Sequence, residues 1–171
     1  LSPYAVPKVV PAAGEVPRHY CYNPTNDFVY TSTAQGCSAT AYRFDPSAGT
    51  LTAFQTISTL PEGYEGKNTC AQIHITPSGH YLYISNRGHD SIAMFAVDQN
   101  TGRLTSLGQQ PTEKTPRVFN IDPTGRFLFA AGQATGNLAS YRINAHTGQL
   151  QPLEIYPVGE NPMWVLFLEL S

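Results

Sequence analysis

Charge is the first thing this sequence is short of. Charged residues are 13% of the 171 and the formal net charge is −2, where globular domains usually carry about twice that share of charge. The basic footprint expected of a nucleic-acid binder is missing. No run approaches the ~18 apolar residues of a membrane span. The start, Leu1-Ser2-Pro3-Tyr4, has neither the basic residues nor the apolar stretch of a secretory signal. Neither nucleic acid nor membrane is therefore expected as a partner. The chain does not open on Met, which predicts a processed chain or a piece of a longer one. Cys21, Cys37 and Cys70 show no CxxC spacing, so free thiols in a reducing compartment are expected. The histidines, 19, 74, 80, 89 and 146, form no HxH or HExxH pair, and no metal or other cofactor is expected. A GxSxG elbow and a phosphate loop are also absent. No window keeps a 3.6-residue apolar period, which argues against helices.

Turn formers and aromatics are present in quantity, with Gly and Pro at 14 each, Tyr at 10 and Phe at 8. That mixture predicts many short strands. Stretches 17–54, 70–107 and 116–153 align without a gap. Pro24, Pro77 and Pro123 coincide, as do the aromatic pairs Phe28/Tyr30, Tyr81/Tyr83 and Phe127/Phe129. Tyr42, Phe95 and Tyr141 match, and so do Gly49, Gly102 and Gly148. Pro77-Ser78-Gly79 suits a tight turn, and Asn100-Thr101-Gly102 suits a hairpin with Gly at positive φ. Each unit holds four extended runs, an innermost, a second, a third and an outer strand. Four-stranded units of this length are the signature of propeller blades.

The expectation is an all-β, partial β-propeller forming a single domain over 1–171. Its blades are placed at 17–60, 70–112 and 116–157. A lone closing strand is placed at 162–168, because 161–167 aligns with the first innermost strand. Propellers usually have about 4–8 blades. Three cannot close a ring, so the open faces call for missing N-terminal blades or for self-association.

Several motifs carry a family resemblance. They include Pro17-Arg18-His19, Ile73-His74-Ile75-Thr76-Pro77 and Ser85-Asn86-Arg87-Gly88-His89-Asp90. Further on come Gln110 to Arg117, Phe119-Asn120-Ile121-Asp122, Ala130-Ala131-Gly132-Gln133 and Val158 to Val165. Their order resembles the C-terminal half of the bacterial seven-bladed 6-phosphogluconolactonases, the lactonase type of propeller. The resemblance implies a cytoplasmic, metal-independent hydrolase acting on a phosphorylated sugar lactone. Fungal carboxymuconate lactonising enzymes share the scaffold, so the fold does not fix the reaction.

Innermost and second strands run antiparallel, so the start of one and the end of the other share a rim. That places Arg18, His19, Gln72, Arg117 and Met163 with Asn86, Arg87, Gly132 and Gln133, and Lys67 and Asn68 in the loop before. Guanidinium forks suit phosphate or carboxylate, and fixed donors could hold a lactone oxyanion. His19 could serve as general base. The expected catalytic residues are His19, Arg87 and Arg117. Arg18, Lys67, Asn86 and Gln133 are expected to bind a small anionic sugar lactone. His74 is expected to fill a blade interface, His89 and Asp90 to build a turn, and Trp164 to pack. The insert at 60–66 could form a lid.

Three positions depart from the family pattern. An Asn-Glu pair is usual where Thr33 and Ala34 stand, and an acid is usual where Gln72 stands. Two readings follow. One is an enzyme that uses His19 or an acid from other blades. The other is a non-catalytic propeller segment that binds anionic ligands or protein partners.

Overall fold

The structure, a computed structural model, describes residues 8–168. Twelve strands form three separate four-stranded sheets, each in simple order with every neighbouring pair antiparallel. The first blade is β1 (Pro17–Tyr22), β2 (Phe28–Thr33), β3 (Ser38–Asp45) and β4 (Thr50–Ser58). The second is β5 (Thr69–Ile75), β6 (Tyr81–Arg87), β7 (Ser91–Val97) and β8 (Leu104–Pro111). The third is β9 (Pro116–Ile121), β10 (Phe127–Gly132), β11 (Asn137–Ile143) and β12 (Leu150–Pro157). The repeat thus corresponds to blades of a partial propeller. β1 packs beside β5, and β5 beside β9, which makes them the innermost strands.

Blades stick together through their faces. One apolar cluster joins the first two blades through Phe28, Tyr30, Ile73, Leu82, Ile84 and Phe95. A second joins the next two through Tyr83, Ile92, Met94, Phe119, Leu128 and Tyr141. The aromatic pair of each repeat is the interlock. The Tyr30 hydroxyl donates to the Gly102 carbonyl at 3.0 Å, and Tyr83 does the same to Gly148 at 2.9 Å. The Phe28 ring lies on Gly102 (φ 70°), and the Tyr81 ring on Gly148 (φ 69°). Those hairpins need glycine twice over, for the left-handed backbone and for the ring seated on it.

The closing strand expected at 162–168 depends on partners beyond these three blades. Residues 162–168 make no strand pairing. A strand is defined by its ladder partners, and no further sheet is present among the described residues to supply them. The segment instead lies against the third blade. Asn120 Nδ2 donates to the Val165 carbonyl at 3.1 Å, and Phe167 meets Phe129 edge-on at 5.4 Å. Trp164, expected to pack, is 65% exposed.

Candidate functional site

The rim forms from β1, the start of β5, the end of β6 and the start of β9. Half-buried Arg18, His19, Arg87 and Arg117 come together there. Burial lowers the Arg18 pKa, and the charges of Arg87 and Arg117 lower it further. Burial and then Arg117 lower that of Arg87, with a smaller opposing contribution from the Cys70 thiol. Neighbouring cations, with no carboxylate among them, set the electrostatics of these two guanidiniums. Such a cluster stores repulsion that an anion would relieve.

The arginines are anchored but not saturated. Arg87 Nη2 donates to the Cys70 carbonyl at 3.2 Å, while its Nε is buried without a partner. Arg18 Nη1 is likewise buried and unpartnered. His19 is pushed below its ordinary pKa, first by burial and then by Arg18, Arg117 and Arg87. Its imidazole is therefore neutral at neutral pH and carries a free lone pair.

Gln72 sits on a bulge of β5 and is 5% exposed. Its backbone N–H donates to Ser85 Oγ at 3.1 Å, and its Nε2 meets His74 Nε2 at 2.9 Å. Burial, and after it His19, pushes His74 down to about 4, so the ring is neutral and accepts from the amide. The Gln72 Oε1 is left buried with no partner. Among the described residues four buried side-chain polar atoms lack a partner, and three belong to Arg18, Gln72 and Arg87. Buried polar atoms are normally satisfied, and this concentration singles out the rim.

Not every expected residue reaches the site. Asn86 is fully buried and saturated. Its Oδ1 accepts from Thr59 Oγ1 at 2.8 Å, and its Nδ2 donates to the Thr59 carbonyl at 2.9 Å and to Ser91 Oγ at 3.2 Å. Its side chain ends the hairpin inside the protein, with these hydrogen bonds turned away from the arginines. Lys67 is exposed on its loop, with its carbonyl close against Gly88. Gln133 faces the C-terminal segment, its Nε2 at 3.4 Å from Met163 Sδ. Neither is tied to the arginine cluster. His74 does fill a blade interface, edge-on to Phe119 at 5.1 Å. Asp90 builds its turn by accepting from Gly88 N at 3.2 Å and Thr115 N at 2.9 Å. From the 60–66 insert, Tyr64 packs edge-on to His89 at 4.8 Å.

Glu15 was not singled out from sequence. It reaches the β2–β3 hairpin, where Ser38 Oγ donates to its Oε2 at 2.9 Å, beside the position where the family acid is missing. Nothing in the repeat signals it, because it precedes the aligned stretch. A cleft of about 270 Å3 lies on the third blade between Pro111, Tyr141 and Leu153, and none of its lining residues belongs to the rim.

The family model for the lactonase, seven-bladed β-propeller, matches residues 1–167. This chain belongs to the lactonase family. It is 41% identical to the 6-phosphogluconolactonase of Pectobacterium carotovorum over 171 residues, covering 100% of this chain and 52% of that protein. It is 39% identical to the 6-phosphogluconolactonase of Yersinia pestis over 166 residues, covering 96% of this chain and 49% of that protein. The lactonase chain thus spans about half the length of the curated relatives it matches. A solved protein from Lactobacillus plantarum superposes with a TM-score of 0.86 at 30% identity, covering 90% of this chain and 45% of that one. The periplasmic gluconolactonase PpgL of Pseudomonas aeruginosa gives 0.83 at 28% identity, covering 89% and 42%.

Proposed function

We propose that this lactonase-family chain carries the anion-binding arc of a hydrolase that opens a phosphorylated or acidic sugar lactone, of the 6-phosphogluconolactone kind. The observation that carries the reading is the convergence of Arg18, Arg87 and Arg117 with buried, unpartnered atoms and no neutralising carboxylate. The guanidiniums receive the phosphate or carboxylate, and an N–H of Arg87 or Arg117 holds the oxygen of the lactone carbonyl as it becomes an oxyanion. Neutral His19 takes a proton from water as the water oxygen attacks that carbonyl. When the intermediate collapses, the ring oxygen leaves and recovers the proton from the imidazolium. Lys67 and Gln133 contribute at the edge, to substituents far from the reacting carbon. The rest of the channel wall comes from further N-terminal blades or a second chain, and the location is cytoplasmic.

The second reading is an anion-binding segment without turnover. It is favoured by the amide of Gln72, which cannot take up a proton at neutral pH. The test is hydrolysis of 6-phosphogluconolactone, above its spontaneous rate, by the chain within its complete propeller. Loss of that rate in both Arg117→Ala and His19→Ala supports the enzyme. Calorimetric binding of 6-phosphogluconate with no turnover supports the segment. An unchanged rate in both variants removes the site.

A further inference from the structure

Blade repeats allow each position to be compared with its equivalents, and two positions stand out. Cys37 lies in the β2–β3 hairpin with φ 49°, in the left-handed region. The equivalent residues are Asp90 (φ 52°) and Gly136 (φ 71°). Glycine enters this region freely, and Asp90 is held there by the backbone N–H groups it accepts from. Cysteine has neither advantage, so the reason for Cys37 lies in its thiol. Cys70, at the start of β5, stands where the other blades have Pro17 and Pro116.

The two thiols share hydrogen-bonding neighbours across the boundary between the first and second blades. Thr59 Oγ1 lies 2.9 Å from the Cys37 carbonyl and 3.1 Å from Cys70 Sγ. Asn68 Nδ2 donates to Cys37 Sγ at 3.3 Å and to Asn86 Oδ1 at 3.2 Å, and Cys70 Sγ donates to the same Oδ1 at 3.3 Å. The Cys70 N–H donates to the Ala34 carbonyl at 3.0 Å, which pins β5 to the hairpin. Access is unequal. Cys37 is partly exposed on a hairpin whose Gln35 and Gly36 face solvent, and Cys70 is fully buried.

We propose that Cys37 and Cys70 form a reversible disulfide joining the first two blades, made by exchange with a small-molecule disulfide. Cys37 is the entry thiol. Its interaction with Cys70 and then the Asn68 amide hold it toward thiolate, against its burial. Its sulfur attacks one sulfur of the reagent, giving a mixed disulfide and releasing one thiolate, which takes up a proton. Cys70 then attacks Cys37 Sγ as its proton passes to the departing reagent sulfur, which leaves as the second thiol. Two protein thiols are oxidised and one reagent disulfide is reduced to two thiols. Cys21 lies on β1 and, among the described residues, makes no hydrogen bond to either of these thiols or to the Thr59, Asn68 and Asn86 groups between them, so it stays out.

The test treats the whole chain with oxidised glutathione, quenches by alkylation in denaturant, and maps the cysteines by mass spectrometry. The expected product is a peptide pair linked through Cys37 and Cys70, two hydrogen masses lighter than the reduced pair and restored by dithiothreitol. Cys70→Ser is expected to stop at a glutathione adduct on Cys37, and Cys37→Ser to leave Cys70 unmodified. The wild-type result stands alone if either variant misfolds. Three alkylated cysteines, a wild-type chain that stops at the mixed disulfide, or a link through Cys21 would each overturn the proposal.

Discussion

The two ends of the blades obey different rules. At the end holding the β1–β2 and β3–β4 turns and their equivalents, acidic and amide side chains close their own loops. Asp98 accepts from Asn100 N at 3.0 Å and Thr101 N at 2.8 Å, and Asn144 accepts from His146 N at 2.9 Å and Thr147 N at 3.1 Å. Asp122 accepts from Arg126 N at 2.8 Å and Phe127 N at 2.6 Å. At the rim the repeat breaks down. Cations crowd together, and three buried atoms go unpaired. The satisfied end holds the fold, and the frustrated end is where the proposed function lies.

The largest expected effect breaks the satisfied side. Gly148→Ala puts a Cβ into the Tyr81 ring and forces an L-residue to φ 69°. A loss of about 3–5 kcal/mol in a urea melt is expected, from overpacking and left-handed strain together. Asn86→Ala comes next, because it sharpens the boundary between the ends. It takes one partner each from the Thr59 carbonyl, the Thr59 hydroxyl and the Ser91 hydroxyl, which keep Gln109, the Cys37 carbonyl and His89, and it opens a cavity inside the hairpin. A loss of about 2–3 kcal/mol is expected, with anion affinity little changed in the folded fraction. Lost affinity at full stability would return Asn86 to the site.

Arg117→Ala tests the frustrated side. Calorimetric affinity for 6-phosphogluconate is expected to fall about tenfold to a hundredfold. The melting midpoint should hold or rise, since one of three mutually repelling cations is gone. A large loss of stability with unchanged affinity would make the arginine structural.

The sequence revealed these two ends unequally. Asp98-Gln99-Asn100-Thr101-Gly102 is a turn by its own chemistry, so the blades could be read from the repeat alone. The arginines were also legible, because antiparallel geometry puts the start of one strand beside the end of the next. The burial of Asn86 was not legible, since its neighbour Thr59 comes from the preceding blade and no local signal links them. The same holds for Gln72 against His74, for Glu15 on Ser38, and for Cys37 against Cys70. The segment 162–168 had the residues of an innermost strand, but strand identity belongs to a pair.

His74 lies where the two ends meet, inside a blade interface and beside the rim, and it gives the smallest effect. Its folded pKa is about 4, against an ordinary 6.5. The unfolded chain therefore binds a proton between those values that the folded chain refuses. The contribution is fully present above pH 6.5 and is lost as pH falls toward 4. Partial exposure of the ring trims it to about 1–2 kcal/mol between pH 7.5 and 5. His74→Phe keeps an aromatic ring beside Phe119 and removes the proton. Urea melts of the two chains are expected to show a shallower loss on acidification for the variant. Parallel pH profiles would mean that His74 is protonated as readily folded as unfolded, and that the Gln72 amide is not held by a neutral ring.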